Sequence, residues 1–181
     1  PNSLDFKIKN AYFMPNPCDK SLDNLKNFNH KPTNDVFYAI SHGVHRGVLK
    51  SGKIDDRIRF LNSLTNKTPD VKFDLYGIGK VQPIWADHYF KTISNAKMGL
   101  NLSRGEAIKY YSSDRITQIV GNGLVCLIDE KTQYRNFFND REMVFYKGVN
   151  DLSEKILRIS NDDKMRRSIA KKGKEKYMKY F

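Results

Sequence analysis

Two stretches of this 181-residue chain gather the residue types that bind anions. The first is Ser41–Lys53, SHGVHRGVLKSGK. Gly43 and Gly47 let the backbone come close to a ligand, and Arg46, Lys50 and Lys53 can neutralise phosphate charge beside a helix N-terminus. His42, at the end of an expected strand, is placed to hydrogen-bond a ligand. The second is Ala96–Glu130, which reads as strand, polar loop, short helix, glycine turn, strand. Its loop and helix start hold Arg104, Glu106, Tyr110, Ser112, Ser113, Asp114 and Arg115, with Gln118 one helical turn on. Two arginines and two serines suit a sugar-phosphate or diphosphate better than an apolar ligand. A third candidate is Gly77, in the turn Leu75–Gly79, where a loop can cover a nucleotide base. Each has a plainer reading: solvated cations on a surface turn, a salt bridge of Arg115 with Asp114 or Glu106, a Glu106–Lys109 surface pair, and an ordinary glycine turn.

Several chemistries lack their motif. Neither GxGxxG nor GxxxxGK[ST] occurs, so neither a dinucleotide fingerprint nor a P-loop is supported. There is no GxSxG elbow and no CxxC. His42 and His45 are spaced HxxH but have no third ligand nearby, which is too little for zinc. No Asp-x-Asp pair is present to hold Mg²⁺ or Mn²⁺ on a diphosphate. Cys18 and Cys126 are too far apart in sequence to read as a disulfide framework, and Cys126 sits in an apolar run that suits a buried thiol.

The elements that must position these residues alternate. Asp35–Ser41 and Val71–Tyr76 read as strands by their β-branched and aromatic content. Between them Ile54, Ile58, Leu61 and Leu64 recur at helical spacing. Trp85–Ala96 reads as a helix with Trp85, Tyr89 and Ile93 on one face. Lys97–Leu102 and Leu124–Ile128 read as strands, Thr132–Phe138 as a short helix and Glu142–Tyr146 as a short strand. Asn150 or Asp151 caps a helix that Asn161 breaks, and a last helix follows from Asp162 and Asp163. The expected fold is therefore α/β, a Rossmann-like parallel sheet with helices on both faces. Residues 1–34 are polar and irregular and read as a linker or arm. Residues 35–163 make the Rossmann-like body and 164–181 its basic amphipathic C-terminal helix.

The formal charge is +12, and it is concentrated at the end: residues 164–181 carry eight Lys/Arg and one acid, Glu175. Such a tail reads first as a solvated helix face, with an anionic membrane surface as the alternative. It lacks interleaved aromatics on its basic face, so nucleic acid is not expected as a partner. No apolar run is long enough to span a membrane. No signal peptide is evident, and cytoplasmic exposure is the default expectation. The first residue is Pro1, not Met, which suggests a piece of something longer.

With these residues in place, the chain resembles the C-terminal, donor-binding half of group 1 glycosyltransferases, which have the two-Rossmann GT-B fold. The resemblance runs from about Pro15 to the end. PNPCD (15–19) resembles the segment that leads into that half, HGVHRGVLKSGK its glycine and basic turn, and FDLYG its second strand and following turn. AKMGLNLSR…SSDRITQIVGNGLVCLID resembles a signature S-x-R-x-x-E-x-x-x-x-G set between two strands, which Ser113, Arg115 and Gly123 match. The resemblance implies donor-diphosphate contacts from Arg46, Lys50, Lys53 and Arg115. It implies sugar or nucleoside contacts among His42, Gly77, Arg104, Glu106, Tyr110, Ser112, Ser113 and Gln118. One departure stands out: the carboxylate three residues after the arginine is Gln118 here, and an earlier glutamate of related members falls on Tyr110. Glutamine donates and accepts hydrogen bonds but carries no charge. The implied activity is metal-independent glycosyl transfer from a nucleotide-sugar substrate, with no cofactor. The glycan or lipid-linked acceptor and any catalytic base would come through an N-terminal half; the basic helix has two alternative readings, one facing a membrane and one crossing back to that half. A non-catalytic Rossmann-like module and a nucleotide-sugar epimerase are the alternatives.

Overall fold

A computed structural model of the chain describes residues 13–41 and 55–181. The first anion-binding stretch, with His42, Arg46, Lys50 and Lys53, lies outside the described residues. The five apolar runs form five strands: β1 (Asn34–Ala39), β2 (Phe73–Tyr76), β3 (Ala96–Asn101), β4 (Val125–Asp129) and β5 (Val144–Tyr146). All pair in parallel, in the order β2-β1-β3-β4-β5. Parallel strands need crossovers, and α1 (Asp56–Lys67), α2 (Ala86–Ile93) and α3 (Asp114–Gly121) provide them. Two helices close the domain, α4 (Gly148–Asn161) and α5 (Asp163–Tyr180).

Alternation along each strand sorts the core into two layers. Val36, Tyr38, Met98, Leu100, Val125 and Leu127 face the layer that holds Leu61, Leu64, Leu152 and Ile156 of α1 and α4. Phe37, Cys126, Ile128 and Phe145 face the layer that holds Ile93, Ile116 and Ile119 of α2 and α3. The sheet is thus covered on both faces, which is why its strands read as near-continuous apolar runs. The strand order reverses between β1 and β3, since β2 lies on one side of β1 and every later strand on the other. That reversal is a topological switch point, and its crevice opens at the carboxyl ends of β1 and β3.

Three local readings change. The helix expected over Thr132–Phe138 is two 3₁₀ turns, Glu130–Thr132 and Tyr134–Asn136, because Gln133 between them is left-handed at φ +57°. Helix α4 begins at Gly148, with the Asp151 carboxylate accepting from the Lys147 N–H. Trp85 is not on the buried face of α2; it precedes the helix and is 62% exposed.

The basic C-terminal helix departs most from its sequence reading. Several of its cations point inward, onto the segment read as an arm. Arg166 is fully buried; its guanidinium donates to the carbonyls of Asn27 and His30 and pairs with Asp163. Arg167 donates to Phe28 O, and the Lys174 ammonium donates to the carbonyls of Asp23, Leu25 and Gly121. Burial holds the Arg166 and Lys174 pKa values below their ordinary range. Residues 23–30 lack a regular ladder for their carbonyls, and these cations supply the missing donors. Asn27, also buried, donates from its amide to the carbonyls of Ile93 and Ala96 and so ties the same segment to the start of β3. The tail is therefore not a uniformly solvated face.

Helix α3 lies unusually close to the sheet. A Cβ built on Gly99 of β3 would fall 2.4 Å from Cγ1 of Ile119. Gly99→Ala is expected to overpack this contact and cost about 1–3 kcal/mol, read as a lower urea midpoint with unchanged slope. Arg166→Met should cost about 2–4 kcal/mol, because it strands buried carbonyls. An unchanged midpoint would show that the clamp on the N-terminal segment adds nothing.

Candidate functional site

At the switch point a cleft of 430 Å³ opens. One wall is the carboxyl end of β1, Ala39–Ser41. The second is the turn into α2, Ile84–Ala86, with Tyr89 and Phe90. The third is the start of α3, Ser113–Arg115, with Gln118. Ala86 has φ +49°, an uncommon backbone for a residue with a side chain, and Trp85 beside it stands exposed at the mouth.

Arg115 is the charged centre of this cleft. Its guanidinium is held from below by neutral oxygens: Nε faces Ala39 O at 3.5 Å, and Nη1 faces Asn101 Oδ1 and Leu102 O, both at 3.3 Å. Its plane lies over the Tyr38 ring at 5.3 Å. These contacts join the ends of β1 and β3, so the side chain bridges the switch point itself. No carboxylate pairs with Arg115 among the described residues; Asp114 instead accepts from the Asn16 amide. The expected alternative, a helix-face salt bridge with Asp114 or Glu106, does not form.

The start of α3 adds to this. Ser113 occupies the N-cap position, but its hydroxyl donates to Asn101 Oδ1 at 3.3 Å and caps no backbone N–H. The Ile116 N–H is taken by the Ser113 carbonyl, and among the described residues no side chain caps the Asp114 or Arg115 N–H beside the Arg115 charge. Helix N-terminal amides together with a guanidinium suit a phosphate or carboxylate. Gln118 lies one turn on, and its Oε1 accepts from the Tyr89 hydroxyl at 2.6 Å. Gln118 lines the cleft, and its side chain carries an amide donor as well as the acceptor that Tyr89 uses. Burial pushes the Tyr89 pKa up, so this phenol stays protonated and does not serve as a base at neutral pH.

The other sequence candidates are placed differently. Ser112 is turned to the N-terminal segment, where its Oγ accepts from the Asn16 N–H at 2.9 Å. Tyr110 has φ +58°, packs among Phe13 and Phe137, and takes a hydrogen bond from the Asn136 amide on its hydroxyl. It is outside the lining of the cleft. Arg104 and Glu106 are exposed in the loop after β3, and that loop is pinned to α1 by the Gly105 N–H donating to Asp56. Gly77 has a packing reason for its identity: a Cβ there would lie 1.8 Å from Ile40 O. Sequence reasoning missed Asn101, Tyr89 and Trp85, and the buried Asp55–Arg57 pair at the start of α1. Only the position of Trp85 and Tyr89 ahead of a strand hinted at them.

A family model described as glycosyl transferase-like matches residues 57–181. The chain belongs to this family. Among solved structures, the crystal structure of TarM superposes with a TM-score of 0.60 at 16% identity, over 93% of this chain. A mutant of S. aureus TarM, in complex with fondaparinux, alpha-GlcNAc-glycerol and UDP, superposes at 0.58 with 17% identity over 84% of this chain. In both cases the chain spans 34% of the TarM chain. At this identity the likeness shows the fold, one Rossmann-like half of GT-B architecture. Among curated proteins, none matches the chain in sequence.

Among the described residues, no group of three His, Cys, Asp or Glu is arranged to hold a metal ion, and no helix is long and apolar enough to cross a membrane. Burial pushes both thiols, Cys18 and Cys126, up to about 12, so neither is a ready nucleophile. Their ordinary value is 9.0. Because the folded value is the higher one, the stability they contribute is full below about pH 9 and is lost as pH rises toward 12. Burial also raises the pKa values of Tyr38, Tyr89, Tyr134, Tyr146 and Tyr177, which adds to the same loss, so the urea midpoint should fall as the pH rises above about 8.5 and Cys126→Ala should remove only the thiol's share of that fall. A midpoint independent of pH over this range would contradict the assignment.

Proposed function

We propose that this chain is the donor-binding domain of a glycosyltransferase, and that the cleft at the switch point takes the diphosphate of a nucleotide-sugar. The observation that carries the reading is Arg115: a half-buried guanidinium held by neutral oxygens, with no carboxylate partner among the described residues, beside the start of α3, which the Ser113 side chain does not cap. Membership of the glycosyl transferase-like family supports the reaction class. The TarM complex containing UDP supports the ligand class. In this reading Arg115 and the α3 amides stabilise the leaving diphosphate by preorganised charge. Arg46, Lys50 and Lys53, which lie outside the described residues, are assigned to the same diphosphate by the sequence resemblance alone. The reading calls on no metal. Ser113 and Gln118 meet hydroxyls of the donor, and a glycan or lipid-linked acceptor is brought by a further domain.

Gln118 favours a second reading, a Rossmann-like binding module without turnover. A carboxylate at this place would accept two hydroxyl hydrogens from a ribose or sugar, whereas Gln118 already gives its oxygen to Tyr89. The two readings share the binding step and differ in transfer.

Calorimetric titration of the chain with UDP, GDP and ADP should show binding to at least one of them. Arg115→Ala should weaken it by about tenfold or more, as expected for loss of a charge-assisted contact worth at least ~1.4 kcal/mol. Failure of every nucleoside diphosphate to bind would sink the proposal. Binding without donor hydrolysis or transfer, in a chain that also carries the other half, would favour the second reading.

A further inference from the structure

A groove of 790 Å³ runs along the amino end of β5, between the C-terminal half of α4 and the first half of α5. The cleft around Arg115 opens at the opposite, carboxyl end of the sheet, so the two are separate. The floor of the groove is apolar: Val144, Ile159, Met165 and Ile169. Its rim carries six cations against two carboxylates, Asp140 and Asp162. Both carboxylates are already engaged. Asp140 is forked by Arg135, and Asp162 accepts from the Met165 N–H at the start of α5. Lys155 is engaged too, with Asp151 and with Phe145 O. Arg141, Arg158, Lys164 and Lys172 remain, all exposed and with no acidic partner among the described residues.

Four unpaired cations around one groove repel each other, and a ligand bringing carboxylates relieves that repulsion. The shape narrows the ligand further. Val144, Ile159 and Ile169 are buried behind the exposed cations, so a flat bilayer surface meets the cations and not the apolar floor, which takes only side chains that reach inward. None of its lining residues is aromatic, so it offers no ring on which a base or a sugar stacks. A second copy of this chain, at +12, is repelled.

We propose that this groove docks a linear acidic segment of a partner protein. Carboxylates of the segment meet Arg141, Arg158, Lys164 and Lys172, and apolar side chains between them sit on Ile159 and Ile169. This is recognition of an acidic motif by a basic cluster, with the apolar floor setting register. It stands independently of what the Arg115 cleft binds.

A fluorescein-labelled peptide of alternating Glu and Leu, titrated into the chain at about 0.1 M salt, tests this by anisotropy. Saturable binding is expected. The double substitution Arg158→Glu with Lys172→Glu should weaken it by about tenfold or more. Both residues are exposed, so the fold should survive, and an unchanged thermal unfolding profile checks that. Polyglutamate of equal charge should bind more weakly, because it has nothing to place on the floor. Binding that ignores the double substitution, or fails to saturate, would overturn the proposal. So would a sulfated oligosaccharide or a phosphatidylglycerol vesicle that binds as tightly with the same sensitivity to the substitution.

Discussion

The close seat of α3 on the sheet sets the geometry of the candidate site. Gly99 has no side chain, so Ile119 of α3 rests almost on the β3 backbone. Gly121 at the other end of the helix is equally tight, since a Cβ there would fall 2.7 Å from Cβ of Asp23. A helix seated this low projects its first turn over the carboxyl ends of β1 and β3. From there the Arg115 side chain reaches Ala39 O and Leu102 O, one at the end of each strand. A helix held farther out by ordinary side chains would leave the guanidinium short of the sheet and free to find a carboxylate.

The way Arg115 is held explains why the cleft is suited to an anion. Dipoles of carbonyl and amide groups orient the guanidinium without cancelling its charge, whereas a carboxylate partner would cancel it. Gln118 fits the same logic. A glutamate one turn from Arg115 would place a negative charge in the cleft; the amide, locked by Tyr89, does not. With its oxygen already accepting from the Tyr89 hydroxyl, Gln118 leaves the Arg115 charge uncancelled.

Much of the scaffold is legible in the sequence because it is local. Runs such as Asp35–Ser41 and Leu124–Ile128 announce strands by composition, and β1 and β4 form there. What is not legible depends on partners distant in the chain. Arg166 and Lys174 look like members of a solvated basic face, yet they are buried on carbonyls more than a hundred residues earlier in the sequence. Tyr110 looks like a residue of the polar loop, yet its left-handed backbone turns it to Phe13 and Phe137. Tyr89 looks like one more apolar helix residue, and only the fold brings its hydroxyl to Gln118. Asn101 ends a strand in the sequence and becomes the support of both Ser113 and Arg115.

The N-terminal segment and the C-terminal helix meet behind α3, and this joins the two ends of the described chain to the site. Asn16 is the link: its backbone carbonyl accepts from Thr117 and Tyr177, and its N–H reaches Ser112. The start of α3 is thus braced from outside as well as from the sheet, which suits a rigid binding point. A structure of the chain with a bound nucleoside diphosphate tests the central claim most directly. The account predicts a phosphate oxygen within hydrogen-bond distance of the Arg115 guanidinium and of a first-turn N–H of α3. A diphosphate seated elsewhere, at the basic groove beside Arg158 for example, with Arg115 untouched, would contradict it.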